Sequence, residues 1–466
     1  MKTHFTPIIL SLFLSSCAFV TASSAQMISV GDSHTLAICN DGTVSAWGAN
    51  GSGQLGIGSN TSSSIPVQVN ELSDIIAVAA GENHSIALKS DGTVWTWGDN
   101  IEGQLGNGVI GDTDTPAQLS NVNGVIAIAA GEYHTVALKN DGTVWTWGWN
   151  SDGQLGNGTD TDSDVPTLAS PLSFIDVIAI AAGSEHTLVL RSNGQVLGCG
   201  NNSGGQLGDG TNTESNSPVQ VGFVATDIIA IAAGGSFSMA MKQDGTVFTW
   251  GVNFSGQLGD GTTNSSNFPV QAGTLTDIIA IDAGGTHAIA LRSNGEVMAW
   301  GANFNGALGD GTTTSSNVPV AVIGLTGATE VQAGQGFSVV LKNDATAQAW
   351  GVNSSGELGI GTNVNSSLPV QVGLTCSIGN AVEEMAMRTT VSIFPNPSNG
   401  KCTLLREGSA MPFSLEIRTM QGQRMYSKQE ISYSTTELDL SAFPAGIYLL
   451  QVSDGTSVHS QKLVIQ

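Results

Sequence analysis

Short runs in which apolar and polar residues alternate recur through most of the chain, and the runs themselves repeat in a fixed order. From Val136 to Gly158 the residues are VALKNDGTVWTWGWNSDGQLGNG. This is an apolar run of strand length, an Asp-Gly turn, a second run with tryptophan at every other place, and a glycine-rich loop. Alternation with period two sends successive side chains to opposite faces, as in a strand. Nothing in the repeated part has the 3.6-residue period of an amphipathic helix. In Val94-Trp95-Thr96-Trp97 the two indoles share one face, while Val94 and the small Thr96 share the other. Small residues recur at the matching places Ala46, Thr146, Gly198, Thr249, Ala299 and Ala349. A bulky face against a small one lets neighbouring sheets interdigitate.

The order of runs returns seven times. Trp47-Gly48, Trp97-Gly98, Trp147-Gly148, Trp250-Gly251, Trp300-Gly301 and Trp350-Gly351 mark six copies, and Cys199-Gly200 stands in the remaining one. The steps are 50, 50, 52, 51, 50 and 50 residues, a period expected of solenoids or propellers. Each copy offers four strand-like segments. In the second they are Ile75 to Ala80, His84 to Lys89, Thr93 to Trp97, and Pro66 to Val69 just upstream. Asp91-Gly92 supplies a two-residue turn needing positive φ, whereas the seventh copy has Asp344-Ala345, which predicts strain or another turn type. Ala-Ala-Gly runs such as Ala79 to Gly81 are expected near an axis, where bulk is excluded. Four short antiparallel strands per repeat suit a propeller blade. The expected fold is all-β: a seven-bladed β-propeller over residues 27–373, a linker over 376–390, and a small β-sandwich over 391–466.

The recurring GxxHxxAL, DGxVWxWG, NxxGQLGxG and PVQV segments resemble the regulator of chromosome condensation repeat family across residues 27–373. That resemblance implies a seven-bladed propeller but no single job, since family members include a guanine-nucleotide exchange factor, a light sensor and inhibitors of β-lactamases. After the repeats, Phe394-Pro395-Asn396-Pro397, Ala445-Gly446-Ile447-Tyr448 and the closing Lys462-Leu463-Val464-Ile465-Gln466 resemble the C-terminal sorting domain of the type IX secretion system of Bacteroidota. The resemblance implies that the export machinery of the outer membrane reads residues 391–466. The N-terminus, one Lys ahead of an apolar run that ends in Ser23-Ser24-Ala25, reads as a signal peptide over residues 1–25. Leu14 to Cys17 also resembles a lipoprotein signal, with Cys17 as the lipidated residue. No later stretch is long and apolar enough to span a bilayer.

Charge narrows the partners. The net charge is −24, and residues 27–375 hold 30 acidic residues against six basic ones: Lys89, Lys139, Arg191, Lys242, Arg292 and Lys342. Such a surface repels phosphate backbones, which disfavours nucleic acid, and suits solubility, cationic partners or divalent cations. Of the five cysteines, Cys39 and Cys199 each replace a repeat residue and read as drift, which leaves Cys376 and Cys402 as a candidate disulfide pair.

Residues that could carry chemistry mostly obey the repeat. His34, His84, His134, His186 and His287 share one position, but Phe237 and Phe337 hold it in the other copies, which points to packing or a local hydrogen bond. The Gln-Leu-Gly-x-Gly loops lack the Lys-Ser/Thr of a phosphate loop. Asp160-x-Asp162-x-Asp164 has calcium-like spacing without the glycine and distant Glu of an EF-hand. No cofactor, metal site or catalytic constellation is expected. Specificity should sit where the copies differ, on loops carried by a rigid scaffold. Beside the loop Asn those exceptions are Ile101, Trp149, Phe254 and Phe304, apolar anchors for a partner near Asp99, Glu102 and Asp152. The expectation is a monomeric, secreted or cell-surface, non-catalytic propeller that binds a protein or glycan. The alternative is an extracellular hydrolase or lyase, whose sign would be a polar cluster breaking the sevenfold pattern at one end of the axis.

Overall fold

The computed structural model describes residues 27–169, 176–222, 227–376 and 378, and in the C-terminal part residues 390–394, 401–407, 413–419, 423–431, 435–444, 446–453 and 458–465. The expected leader with Cys17, the segment Pro395 to Gly400 and the side chain of Cys402 lie outside the described residues. The chain divides into two compact units, up to Ile378 and from Gly379.

The first unit is seven four-stranded antiparallel sheets. Blade 1 runs Ile28–Val30, His34–Ile38, Val44–Gly48 and Ser63–Gln68, and blade 7 runs Ala328–Ala333, Phe337–Lys342, Ala347–Gly351 and Ser366–Gln371. Every blade is one contiguous stretch of chain, which corrects the expected strand assignment. The outer strand of blade 2 is Thr113–Gln118, downstream of the Trp-Gly pair, and the upstream segment with Pro66 is the outer strand of blade 1. The prolines of these strands are tolerated because an edge strand needs few main-chain donors.

Inner strands carry the Ala-Ala-Gly runs, and Ala80-Gly81, Ala130-Gly131 and Ala333-Gly334 line the axial mouth as expected. The six indoles of the Trp-Gly pairs are fully buried. Each donates its N–H across a blade boundary to the preceding blade's loop, as Trp97 does to the carbonyl of Gln54 at 2.8 Å. In blade 4 the Cys199 thiol takes that place, 3.6 Å from the carbonyl of Gln154, and burial pushes it up to about 12. Blades 2 and 3 carry a further indole two residues earlier and nearer the surface, where the Lys89 ammonium stands 5.7 Å over Trp95 and Lys139 stands 5.3 Å over Trp145.

The ring closes between blades 7 and 1 without a shared strand. Trp47 donates to the carbonyl of Glu357 at 2.9 Å, and the Glu330 carboxylate accepts the main-chain N–H groups of Met27 and Ile28 at 3.3 and 3.2 Å. One apolar cluster joins Leu36, Trp47 and Leu55 to Phe337, Leu341 and Val372. The closure is also covalent. Cys39 is disulfide-bonded to Cys376, and the backbone of Ile378 bridges to Cys39. This overturns both the Cys376–Cys402 pairing and the reading of Cys39 as drift. Cys39 directly follows the second strand of blade 1, and the chain leaving the outer strand of blade 7 passes beside it.

The second unit pairs a three-stranded and a four-stranded antiparallel sheet. Leu438 of the first packs with Leu415, Ile417, Leu450 and Leu463 of the second in one core, a small β-sandwich. The Tyr448 hydroxyl donates to the carbonyl of Pro444 at 2.7 Å and anchors the turn ahead of its strand.

Candidate functional site

Blade topology sorts the loops into two faces. The Asp-Gly turns close the second and third strands on one face. The Gly-Glu turns and the long glycine-rich loops meet on the other, where Asp99 N–H donates to the carbonyl of Asn83 at 2.9 Å. All six basic residues of the propeller end second strands beside the Asp-Gly turns. Several are matched there, Lys242 to Asp227 at 3.0 Å and Lys342 to Asp344 at 3.2 Å. The loop face therefore has no lysine or arginine.

Each loop is tied by its Asn. The Asn150 side chain accepts from Leu155 N–H at 2.9 Å and donates to the carbonyls of Thr159 and Thr161 at 2.8 and 3.0 Å. The matching Asn50, Asn100, Asn202, Asn253, Asn303 and Asn353 are buried as well. Sequence reading marked these residues only as landmarks, yet they fix the backbone on which the variable neighbours stand. Phe254 and Phe304, 80% and 76% exposed, follow the Asn in the adjacent blades 5 and 6. Ile101 holds the same place in blade 2 at 58% and is joined by Val109 and Ile110, exposed apolar residues of the same loop that sequence reading passed over. Trp149 precedes its Asn and is partly buried. Its N–H donates to the Ser151 hydroxyl at 2.8 Å, and its ring meets Tyr133 edge-on, with centroids 6.0 Å apart. The structure thus places all four residues on one face without gathering them into one cluster.

Nearer the axis the loop face loses its sevenfold pattern. The residue after each inner-strand glycine is Asp32, Glu82, Glu132, Ser184, Gly235, Gly285 and Gln335 in blade order. Three adjacent blades thus present carboxyls and the others do not. Burial raises Asp32 to about 7, helped by the charges of Glu82 and Glu132. Burial and then Glu82 raise Glu132, while burial, Asp152 and Glu132 raise Glu185. A hydrogen bond to Glu82 is the main cause holding the Tyr133 phenol above its usual range. Comparing the copies one residue past Ala-Ala-Gly would have revealed this arc. The mouth encloses about 80 Å³ and is girdled by main-chain bonds between blades, such as Glu132 N–H to the carbonyl of Ser184 at 3.2 Å.

The repeated histidines are structural. His34, His84, His134, His186 and His287 are fully buried, and each Nε2 meets a Ser or Thr hydroxyl of the next blade, as His134 does Thr187 at 2.9 Å. In all five pairs the hydroxyl also donates to a main-chain carbonyl, Thr187 to that of Gln154 at 2.8 Å. Nε2 must therefore be the protonated nitrogen. Burial holds His84 and His134 down at about 3 and the other three at about 4. The aspartates with calcium-like spacing are engaged otherwise: Asp160 accepts from the Asn216 amide and Asp162 from Asn150 N–H. Among the described residues no group of three or more His, Cys, Asp or Glu is placed to hold a metal ion.

Residues 15–271 and 177–394 match the RCC1-like domain, and residues 392–466 match the secretion system C-terminal sorting domain. The structure is similar to that of human WBSCR16, with 27% identity and a TM-score of 0.61 over 66% of this chain and 83% of that one. It also resembles Prp20p of Saccharomyces cerevisiae in fold, with 24% identity and a TM-score of 0.65 over 76% and 88% of the two chains. Among curated relatives, a 99-residue stretch is 37% identical to the E3 ubiquitin-protein ligase HERC2 of Homo sapiens, covering 21% of this chain and 2% of HERC2. A 91-residue stretch is 38% identical to the ultraviolet-B receptor UVR8 of Arabidopsis thaliana, covering 19% of this chain and 21% of that receptor.

Proposed function

Because the chain belongs to the RCC1-like domain family and ends in a secretion-system sorting domain, we propose that it is an exported, non-catalytic propeller that binds a partner on its loop face. Export follows the type IX route to the cell surface or the medium. The observation that carries the binding role is the exposure of Phe254, Phe304 and Ile101 at one position of Asn-tied loops. Large apolar side chains held on a rigid frame lose little conformational freedom on binding, which makes them efficient anchors. A protein partner is favoured over a glycan because the same face bears a large uncompensated negative charge, which a neutral sugar cannot offset.

The arc of Asp32, Glu82 and Glu132 has the composition expected of a hydrolase or lyase site but not the room. A mouth of about 80 Å³ holds a few waters, whereas small-molecule pockets run to roughly 300 Å³ or more. The test is capture of partners from culture medium and cell envelope by the mature protein and by a Phe254→Ala/Phe304→Ala/Trp149→Ala variant. The variant should lose a specific partner at an unchanged melting temperature. Equal loss of binding and stability would make the three residues packing elements and refute the reading, and a glycan-array signal lost in the same variant would replace protein by glycan.

A further inference from the structure

The exposed apolar residues of the loop face do not stand in a uniform field. Phe254 and Phe304 occupy blades 5 and 6, where carboxylates on this face are sparse: blades 5 to 7 contribute only Asp260, Asp310 and Glu357. Blades 2 to 4 contribute thirteen, from the Gly-Glu turns to the starts of the outer strands. Tyr133 and Trp149 stand within that half. With all six basic residues of the propeller ending second strands on the far face, the propeller itself supplies no cation to oppose this charge. The face is therefore divided into a half poor in charge that bears Phe254 and Phe304, and an anionic half that includes two aromatic rings and the exposed Ile101, Val109 and Ile110.

We infer that the loop face docks an amphipathic, cationic segment of a protein partner, with its apolar side chains on Phe254 and Phe304 and its basic ones over blades 2 to 4. This rests on the binding role proposed above and specifies the partner's chemistry. Charge complementarity selects the occupant. An acidic protein, a nucleic acid or an anionic lipid surface would be repelled, and a purely apolar segment would leave the carboxylates of blades 2 to 4 unmatched. Lysine or arginine side chains crossing from the axis outward meet Glu132 and Asp152, and they also meet the π-faces of Tyr133 and Trp149, which attract cations. Asp32, Glu132 and Glu185 are raised first by burial and then by the charges of Glu82, Glu132 and Asp152, which agrees with a face that gains when a cation arrives. The unequal halves orient the partner, since only one direction across the axis matches both.

The probe is a labelled twelve-residue peptide with a lysine-rich half and a phenylalanine-rich half, set against one with glutamate for lysine, each titrated into the mature protein. The lysine peptide should bind, and about tenfold more weakly when salt is raised from 50 to 300 mM. Binding should also weaken about tenfold in Phe254→Ala/Phe304→Ala and in Glu82→Gln/Glu132→Gln/Asp152→Asn, substitutions that keep size and hydrogen-bonding oxygens. Asp91→Asn/Asp141→Asn on the turn face should change nothing. Equal binding of the glutamate peptide, or unchanged binding after neutralising blades 2 and 3, overturns the inference. So does a lysine peptide indifferent to the loss of Phe254 and Phe304, which would mean charge attraction alone. If neither peptide binds while the aromatic variant still loses its captured partner, the binding role stands and the cationic chemistry falls.

Discussion

The most informative residues are those where one repeat position changes together with its neighbour a blade away. Where the sixth blade has Ala288 in place of Ser or Thr, the fifth has Phe237 in place of His, so neither half of the bond is left alone. At the seam the exchange is incomplete. Phe337 faces blade 1, which keeps Thr35, and the Thr35 hydroxyl is buried without a partner. An unmade buried hydrogen bond costs more than an apolar pair of the same shape. Thr135→Val should therefore cost about 1–3 kcal/mol by stranding the His84 N–H, whereas Thr35→Val should be neutral or stabilising; urea unfolding of both separates the cases. The histidines themselves were legible in the sequence as structural because Phe replaces them. Their partners were not, since each lies a whole repeat further on and becomes a neighbour only when blades pack.

At the scale of the strand and turn, the blade was legible almost completely, because alternation, Asp-Gly turns and small-against-large faces are local. Asp344-Ala345 shows how literally it can be read: Ala345 adopts φ of 62°, the left-handed conformation that glycine supplies in the other turns. Ala345→Gly should raise stability by about 1 kcal/mol, read as a shift of the urea midpoint at constant m. The outer strand was the element misassigned. Proline and polar residues at the edge carry no signal for which neighbour they pair with, and the glycine-rich loop before them resembles a boundary although it lies inside the blade. The exposed loop residues Ile101, Phe254 and Phe304 were legible as exceptions. The acidic arc went unread, although lining up the copies one residue past Ala-Ala-Gly shows it, because its members pass for ordinary turn residues until the inner strands bring them to one axis.

The whole molecule is held by what happens at its seam and by the charges it buries. The Cys39–Cys376 bond spans a sequence separation of 337 residues, so it removes much freedom from the unfolded chain. Cys39→Ala should lower stability by about 2–5 kcal/mol, and reduction should weaken the native chain but not the variant. No local rule could reveal this pairing, for the two cysteines become neighbours only in a closed ring. Buried titrating groups pull stability in opposite directions with pH. The five histidines, held at about 3 to 4, stay neutral in the fold while the unfolded chain takes up protons below about 6.5. Their contribution is complete above that value and is lost as pH falls towards 4. Asp282 and Glu330, raised by burial to about 7 and about 8, do the reverse: the fold keeps protons that the unfolded chain releases near 4, so their contribution is complete below about 4 and is lost as pH rises from there to those values. The melting temperature should fall between about pH 6.5 and 8, and Asp282→Asn/Glu330→Gln should flatten that fall and steepen the loss in acid, which the two carboxyls oppose above about pH 4.

That each blade is a contiguous stretch, with no strand lent across the seam, bears on how such a ring can change over generations. Duplicating or deleting one fifty-residue unit leaves no orphan strand behind, so copy number is free to vary wherever the curvature of the inner strands still permits closure. The ends of the chain are equally portable. A gene opened at another blade boundary encodes the same ring, and its new first and last units need only a cysteine apiece to lock it. The seven copies are in this sense interchangeable bricks with one movable clasp.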